Sequence, residues 1–171
     1  MDNPVEFFER VTRDPSALGF PKRVTVELTN ACNLDCVFCP RHFMEDKLAM
    51  MPWELFTKII DEIAGYPGTA VVPFFRGESL LHKQFIPMMR YIKQKGVGPI
   101  QLTTNAMLLD EKMSQDILDS NIDFLHFSLD TTEKEVYEKV RVRGKFEQVQ
   151  SNVARFLEMK ERGGHKLPEI Q

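Results

Sequence analysis

Short runs of β-branched and aromatic residues alternate along this chain with longer stretches whose apolar positions recur every three to four residues. A parallel sheet built with crossover helices produces that alternation. The first run, Arg23 to Leu28, predicts a strand. Pro52 then stands where the first turn of a helix tolerates a missing N–H, and Trp53, Phe56, Ile59, Ile60 and Ile63 share one face before Gly65. A second strand is expected at Ala70 to Phe75, followed by a helix from Phe85 to Lys95 with Phe85, Met88, Met89 and Ile92 inward and Gly96 as its stop. Ile100 to Thr103 predicts a third strand, Asp110 the N-cap of a helix carrying Met113, Ile117 and Leu118, and Phe124 to Leu129 a fourth strand. Thr132 and Glu135 have capping-box spacing for a helix through Val136 and Val140. Phe146 to Arg162 predicts a longer amphipathic helix with Val149, Val153, Phe156 and Leu157 inward, broken by Gly163 and Gly164. The terminal LPEIQ reads as the entry to a fifth strand.

The fold class is therefore α/β, with about four complete βα units and a truncated fifth strand. That is too few for a closed (β/α)8 barrel, which needs roughly 200 residues or more. The 171 residues, 43% hydrophobic and 27% charged, suit one domain. The expected division is an N-terminal extension with a short helix over 1–21 and an incomplete barrel core over 22–171. No apolar run approaches the roughly 18 residues of a membrane span, and a net charge of −3 offers no broad basic surface for nucleic acid. One local exception is Lys139, Arg141, Arg143 and Lys145 in KVRVRGK, which reads equally as a basic helix end meeting the negative pole of the helix dipole or as a functional cluster.

Cys32, Cys36 and Cys39 are the only cysteines, spaced CxxxCxxC. Three thiolates from one short loop suit three corners of a cubane iron–sulfur cluster, leaving one iron open for a non-protein ligand. A structural zinc site would need a fourth ligand, and His42 has a tolerable spacing for it. A disulfide framework is disfavoured by the odd, low cysteine count and a charged N-terminus without a signal peptide, which points to a reducing cytoplasm.

The segment RVTVELTNACNLDCVFCP, a strand running into the three-cysteine loop with an aromatic before the last cysteine, resembles the signature of the radical S-adenosylmethionine (SAM) superfamily. PKRVTVELTNACNLDCVFCPR most resembles its SPASM-type branch, whose members modify peptides, proteins or sugars. The resemblance implies a partial TIM-like barrel, a [4Fe-4S] cluster on Cys32, Cys36 and Cys39, and SAM chelated to the unique iron. It also implies an electron donor such as flavodoxin or ferredoxin, and reductive cleavage of SAM to a 5'-deoxyadenosyl radical that abstracts hydrogen from an unknown substrate. Catalytic groups beyond the cluster ligands are not implied.

Parallel β/α folds gather their chemistry where strands end at the carboxyl side, and each predicted strand here ends in polar residues. Gly77 and Glu78 in RGES resemble the family's GGEP motif, which receives the SAM amino group. Arg76 and Ser79 replace its first glycine and its proline, so a less rigid loop is expected. Phe38 resembles the aromatic beside the adenine. Asn105 resembles the TNG-type motif, with Ala106 where glycine is usual. Ser128 and Asp130 are placed for ribose or substrate, and Arg141 or Arg143 for the SAM carboxylate. Asn105 and Asp130 are equally readable as turn and helix-start residues. His82 reads as structural. The rival reading is a non-catalytic metal- or SAM-binding module from a truncated relative. A partner chain completing the barrel is also expected if strand four presents an open edge.

Overall fold

The computed structural model describes residues 19–171, so the short helix expected in the N-terminal extension lies outside the described residues. Five parallel strands follow in chain order: β1 (Arg23–Thr25), β2 (Ala70–Val72), β3 (Gln101–Thr104), β4 (Phe124–Phe127) and β5 (Glu169–Ile170). Val24 pairs with Val71, Leu102 with Leu125, and Leu125 with Ile170. A parallel bridge between Val71 and Ile100 joins the two halves, with the Val71 N–H donating to the Pro99 carbonyl at 2.9 Å. The spatial order is therefore the chain order. With right-handed crossovers each strand adds on the same side and the helices fall on one face, which makes a partial barrel rather than a doubly wound sheet.

Helices α1 (Trp53–Ala64), α2 (Phe85–Gln94), α3 (Glu111–Asp119), α4 (Lys134–Val140) and α5 (Phe146–Arg162) fill the crossovers. Their apolar stripes form one core with the strands: Phe56 and Ile60 of α1, Met88, Met89 and Ile92 of α2, and Ile117 and Leu118 of α3 are buried beside Leu102 and Leu125. Local signals act where expected. Asp110 caps α3 by accepting the Met113 N–H at 2.7 Å, and Gly96 follows α2 with φ +69°, the left-handed conformation that glycine adopts at least cost.

Four expectations are corrected. β1, β2 and β4 are shorter at their carboxyl ends than predicted, because the chain beyond Val26, Val72 and Phe127 turns into loops, whereas β3 runs one residue further, to Thr104. The capping box at Thr132 does not form: Glu133 is the N-cap, and it is the Thr131 hydroxyl that accepts the Glu133 N–H. The inward residue of α4 is Tyr137, fully buried, while Val136 is 49% exposed; in α5 Leu157 is 42% exposed and Asn152 is buried in its place. Both differences arise because these helices turn the polar-capable residues Tyr137 and Asn152 inward. Finally, β4 is bonded on both sides, so the edges among the described strands are β1 and β5.

The α5 assignment has a direct check. Phe156→Ala should cost about 3–5 kcal/mol by urea unfolding, as for a large buried ring, whereas Leu157→Ala should cost less than about 1 kcal/mol.

Candidate active site

The carboxyl ends of four strands converge on one cleft of about 220 Å³. Cys32, Cys36, Cys39 and Phe38 line it from the loop after β1; Arg76, Gly77 and Glu78 from the loop after β2; Thr104 and Asn105 from β3; and Ser128 from the end of β4. Arg141, just beyond α4, closes the far side. More than 20 positions separate each of these groups from the next in sequence, apart from Ser128 and Arg141, which are 13 apart.

The cysteine loop is held from several directions. Its base is fastened where the Thr29 hydroxyl donates to the Ala49 carbonyl at 2.7 Å and the Ala49 N–H donates to Asn30 Oδ1 at 2.8 Å. The Glu78 N–H donates to the Ala31 carbonyl at 2.8 Å, and Asn105 Nδ2 donates to Asn33 Oδ1 at 2.9 Å. On the opposite side, the N–H groups of Asp35 and Val37 donate to the carbonyls of Val142 and Val140, each at 2.9 Å. The loop thus lies across the mouth of the partial barrel.

Gly77 permits the β2 loop to meet it. A Cβ at this position would lie 2.2 Å from the Thr29 carbonyl oxygen and 2.5 Å from that of Ala31, distances no side chain can occupy. The glycine therefore serves a close approach between two backbones. Glu78, next along, is almost wholly buried. Its carboxylate accepts from the Thr104 hydroxyl at 2.9 Å, the Asn105 N–H at 2.9 Å and the Leu80 N–H at 3.2 Å. Burial pushes its pKa up, and these three donors oppose that by favouring the anion.

The expected looseness of the RGES loop is not found. The Ser79 hydroxyl donates to the Pro73 carbonyl at 2.6 Å, and Arg76 forks onto Glu27 through Nε at 2.9 Å and Nη2 at 2.6 Å, with Asp46 3.3 Å from Nη1. The guanidinium holds the Glu27 carboxyl below its ordinary range. This brace was hidden in sequence because Glu27 and Arg76 are 49 positions apart.

Arg141 and Arg143 separate sharply. Arg141 is 8% exposed; its Nε donates to Asp130 Oδ2 at 2.6 Å, Nη1 lies 3.9 Å from Cys36 Sγ, and its guanidinium sits 5.4 Å from the centre of the Phe38 ring. Arg143 points away, its side chain 67% exposed and 3.8 Å from Asp35, outside the cleft. Asp130 reaches the cleft only through Arg141. His82 is structural: Nδ1 accepts the Gln84 N–H and Nε2 faces the Met51 carbonyl.

The donor set distinguishes what the loop can hold. All three thiols are free, and burial raises the pKa of Cys32 and Cys36, for Cys36 against the lowering influence of Arg141. His42 is spent on the Cys36 carbonyl, 2.9 Å from Nε2, and on Asp35, 3.5 Å from Nδ1. Among the described residues no three His, Cys, Asp or Glu side chains are grouped to hold a metal ion. A single zinc needs its ligands around one point, whereas a cubane presents its irons at separate corners to thiolates that stand apart. By donor chemistry, three free thiols from one loop with His42 engaged elsewhere suit an iron–sulfur cluster better than a four-ligand zinc site.

Two outcomes follow from the braces. Gly77→Ala should lose about 3 kcal/mol or more by chemical denaturation, the upper end of overpacking, since the obstruction is backbone. For Glu27, whose folded pKa lies below its unfolded value of about 4.3, the stabilising contribution is full above that value and is lost as pH falls through the folded pKa. Urea unfolding between about pH 6 and pH 3 should therefore show a steeper acid loss for the native chain than for Glu27→Gln; parallel curves would count against the brace.

A family model described as Radical SAM superfamily matches residues 26–164. Curated relatives include a tungsten-containing aldehyde ferredoxin oxidoreductase cofactor-modifying protein of Pyrococcus furiosus, 32% identical over 64% of this chain and 31% of that protein. A GTP 3',8-cyclase of Chlorobaculum tepidum is 30% identical over 78% of this chain and 40% of that protein. The chain thus spans well under half the length of these relatives. Among solved structures, Streptococcus suis SuiB superposes with a TM-score of 0.70 at 17% identity, covering 92% of this chain and 37% of that one. Native anSMEcpe with bound AdoMet and a peptide gives 0.69 at 19% identity, covering 87% and 42%. By its matched residues and its partial (β/α) barrel, the chain belongs to the Radical SAM superfamily, with S-adenosylmethionine and a [4Fe-4S] cluster as the cofactors that membership implies.

Proposed function

We propose that this chain forms the cluster- and SAM-binding part of a radical SAM enzyme that acts on a peptide, protein or sugar-like substrate in the manner of the SPASM-type branch. The observation that carries the reading is the convergence of three free thiols from the loop after β1 and the polar ends of three further strands on one cleft. Cys32, Cys36 and Cys39 would hold the [4Fe-4S] cluster. When bound, cluster and SAM supply a one-electron cleavage of the sulfonium, yielding methionine and a 5'-deoxyadenosyl radical.

The protein's own residues bind, orient and shield. Glu78 has two carboxylate oxygens and about four acceptor positions, of which three are filled, so one remains for an ammonium donor. Phe38, largely exposed at the rim, offers a flat face for adenine, and Arg141 braces the ring from its other side. Asn105 orients the loop through Asn33 and keeps its own carbonyl in an Asx turn with the Met107 N–H. Ser128 is the cleft-lining hydroxyl suited to a ribose or substrate hydroxyl, and Asp130 acts by fixing Arg141. Nε and Nη1 of Arg141 are engaged within the protein, and among the described residues Nη2 has no protein acceptor, which leaves it for a carboxylate such as that of SAM. Arg143, lying outside the cleft, has no part in this.

The relatives supply the range of substrates. One is named for a GTP cyclisation, another for modifying a cofactor, and SuiB has been seen bound to a precursor peptide. The partners proposed here are a low-potential electron donor such as flavodoxin or ferredoxin and a partner chain completing the barrel at an edge of the described strands. No helix among the described residues is long and apolar enough to cross a membrane, which agrees with a cytoplasmic site of action, also proposed.

Anaerobic reconstitution should load about four irons with sulfide and give brown absorption near 400 nm. On addition of SAM and a strong reductant, 5'-deoxyadenosine should form. Alanine at any one of Cys32, Cys36 or Cys39 should abolish its release while circular dichroism stays near native. A colourless protein carrying one zinc would overturn the proposal.

A further inference from the structure

We propose that Arg141 raises the reduction potential of the cluster by acting on Cys36, and that Asp130 is the counter-charge that moderates it. The inference rests on the reading of Cys32, Cys36 and Cys39 as cluster ligands and adds a regulator of that site. Arg141 is a positioning residue in this role, since it acts on the cluster through a ligand.

The geometry begins in the backbone. The bonds from Asp35 to Val142 and from Val37 to Val140 run in an antiparallel sense, so residue 36 is held against residue 141. That juxtaposition does not depend on side-chain rotamers. It sets Nη1 of Arg141 3.9 Å from Cys36 Sγ, while Asp130, 2.6 Å from Nε, holds the guanidinium plane. The Phe38 ring covers the same group at 5.4 Å. Arg141 is 8% exposed and Cys36 is buried, both on the wall of the cleft.

The electrostatic consequence follows. Reduction takes one electron from a low-potential donor and converts [4Fe-4S]2+ to [4Fe-4S]+, with no bond made or broken and no proton moved. The cluster gains one negative charge. A guanidinium, which stays protonated throughout, stabilises the more negative state when it stands beside a ligand sulfur, and N–H contacts to cluster sulfurs are a recognised lever on potential. In a buried site the interaction is weakly screened. Asp130 bears the opposite charge, is half exposed and touches Arg141 rather than the thiols, so it withdraws part of the effect.

The two residues therefore predict shifts of opposite sign. Reconstituted protein is titrated with a reductant in the absence of SAM, and the reduced cluster is followed by electron paramagnetic resonance. Arg141→Gln should lower the ratio of reduced to oxidised cluster at a fixed potential by about tenfold, equivalent to about 59 mV for one electron. Arg141→Lys, which keeps the charge, should restore most of the difference. Asp130→Asn should move the midpoint in the opposite direction. Unchanged midpoints in Arg141→Gln and Asp130→Asn, or shifts of the same sign, would overturn the inference while leaving cluster binding and SAM cleavage standing. Should Arg141→Gln fail to retain the cluster, the sign of the Asp130→Asn shift decides. A native chain that takes up neither iron nor sulfide overturns the reading of the cysteines and the inference with it.

Discussion

The arrangement of the cleft depends on one buried carboxylate. Glu78 sits in the loop after β2, and its side chain gathers the Thr104 hydroxyl and the Asn105 N–H from the end of β3, while its own N–H grips Ala31 at the base of the cysteine loop. β2 and β3 otherwise meet at a single bridge between Val71 and Ile100. Where a sheet curls into a barrel its strand ends splay, and backbone pairing alone holds them poorly. A buried carboxyl group that accepts from three donors replaces that pairing and fixes three elements at once. Since leaving those donors without an acceptor would cost far more than the net worth of each bond, the arrangement resists being half-formed.

Around this tie, each wall of the cleft uses a different physical device. The β2 loop approaches by steric permission, Gly77 having no Cβ to meet the carbonyls of Thr29 and Ala31. The outer rim is braced by charge, with Arg76 spanning Glu27 and Asp46. The far side is stitched by backbone bonds between the cysteine loop and the segment after α4. Arg76 occupies a position where related motifs carry glycine, and its fork onto Glu27 supplies rigidity that a glycine would not. Ala106 departs from glycine in the same way but less freely: it holds φ +59°, a left-handed conformation that costs an alanine about 1–2 kcal/mol. Asn105 and the buried packing around Ala106 hold that turn in place.

These braces also explain the division of labour in the basic run KVRVRGK. In sequence Arg141 and Arg143 are equivalent candidates. In the fold, α4 ends at Val140 and the chain turns sharply, with Arg143 at φ +71°, so that Arg141 enters the cleft and Arg143 leaves it. One cation becomes part of the site because two backbone hydrogen bonds hold its position against Cys36. Its neighbour two residues on is a solvated surface charge.

Much of this molecule was legible before any coordinates. The five strands, the five helices and most of the inward faces follow from periodicity, since Phe85, Met88, Met89 and Ile92 can share one side of α2 in only one conformation. The three cysteines and the polar strand ends pointed to one rim, and the fold brings them to a single cleft. Long-range pairings were beyond reach: Arg76 with Glu27, Asn105 with Asn33, and Arg141 with Cys36 join residues 49, 72 and 105 positions apart. Local composition determines which elements form and which way they face, because those preferences act over a few residues. Which side chains meet across the barrel mouth is decided only when the strands are assembled, because that depends on the stagger and curl of the whole sheet.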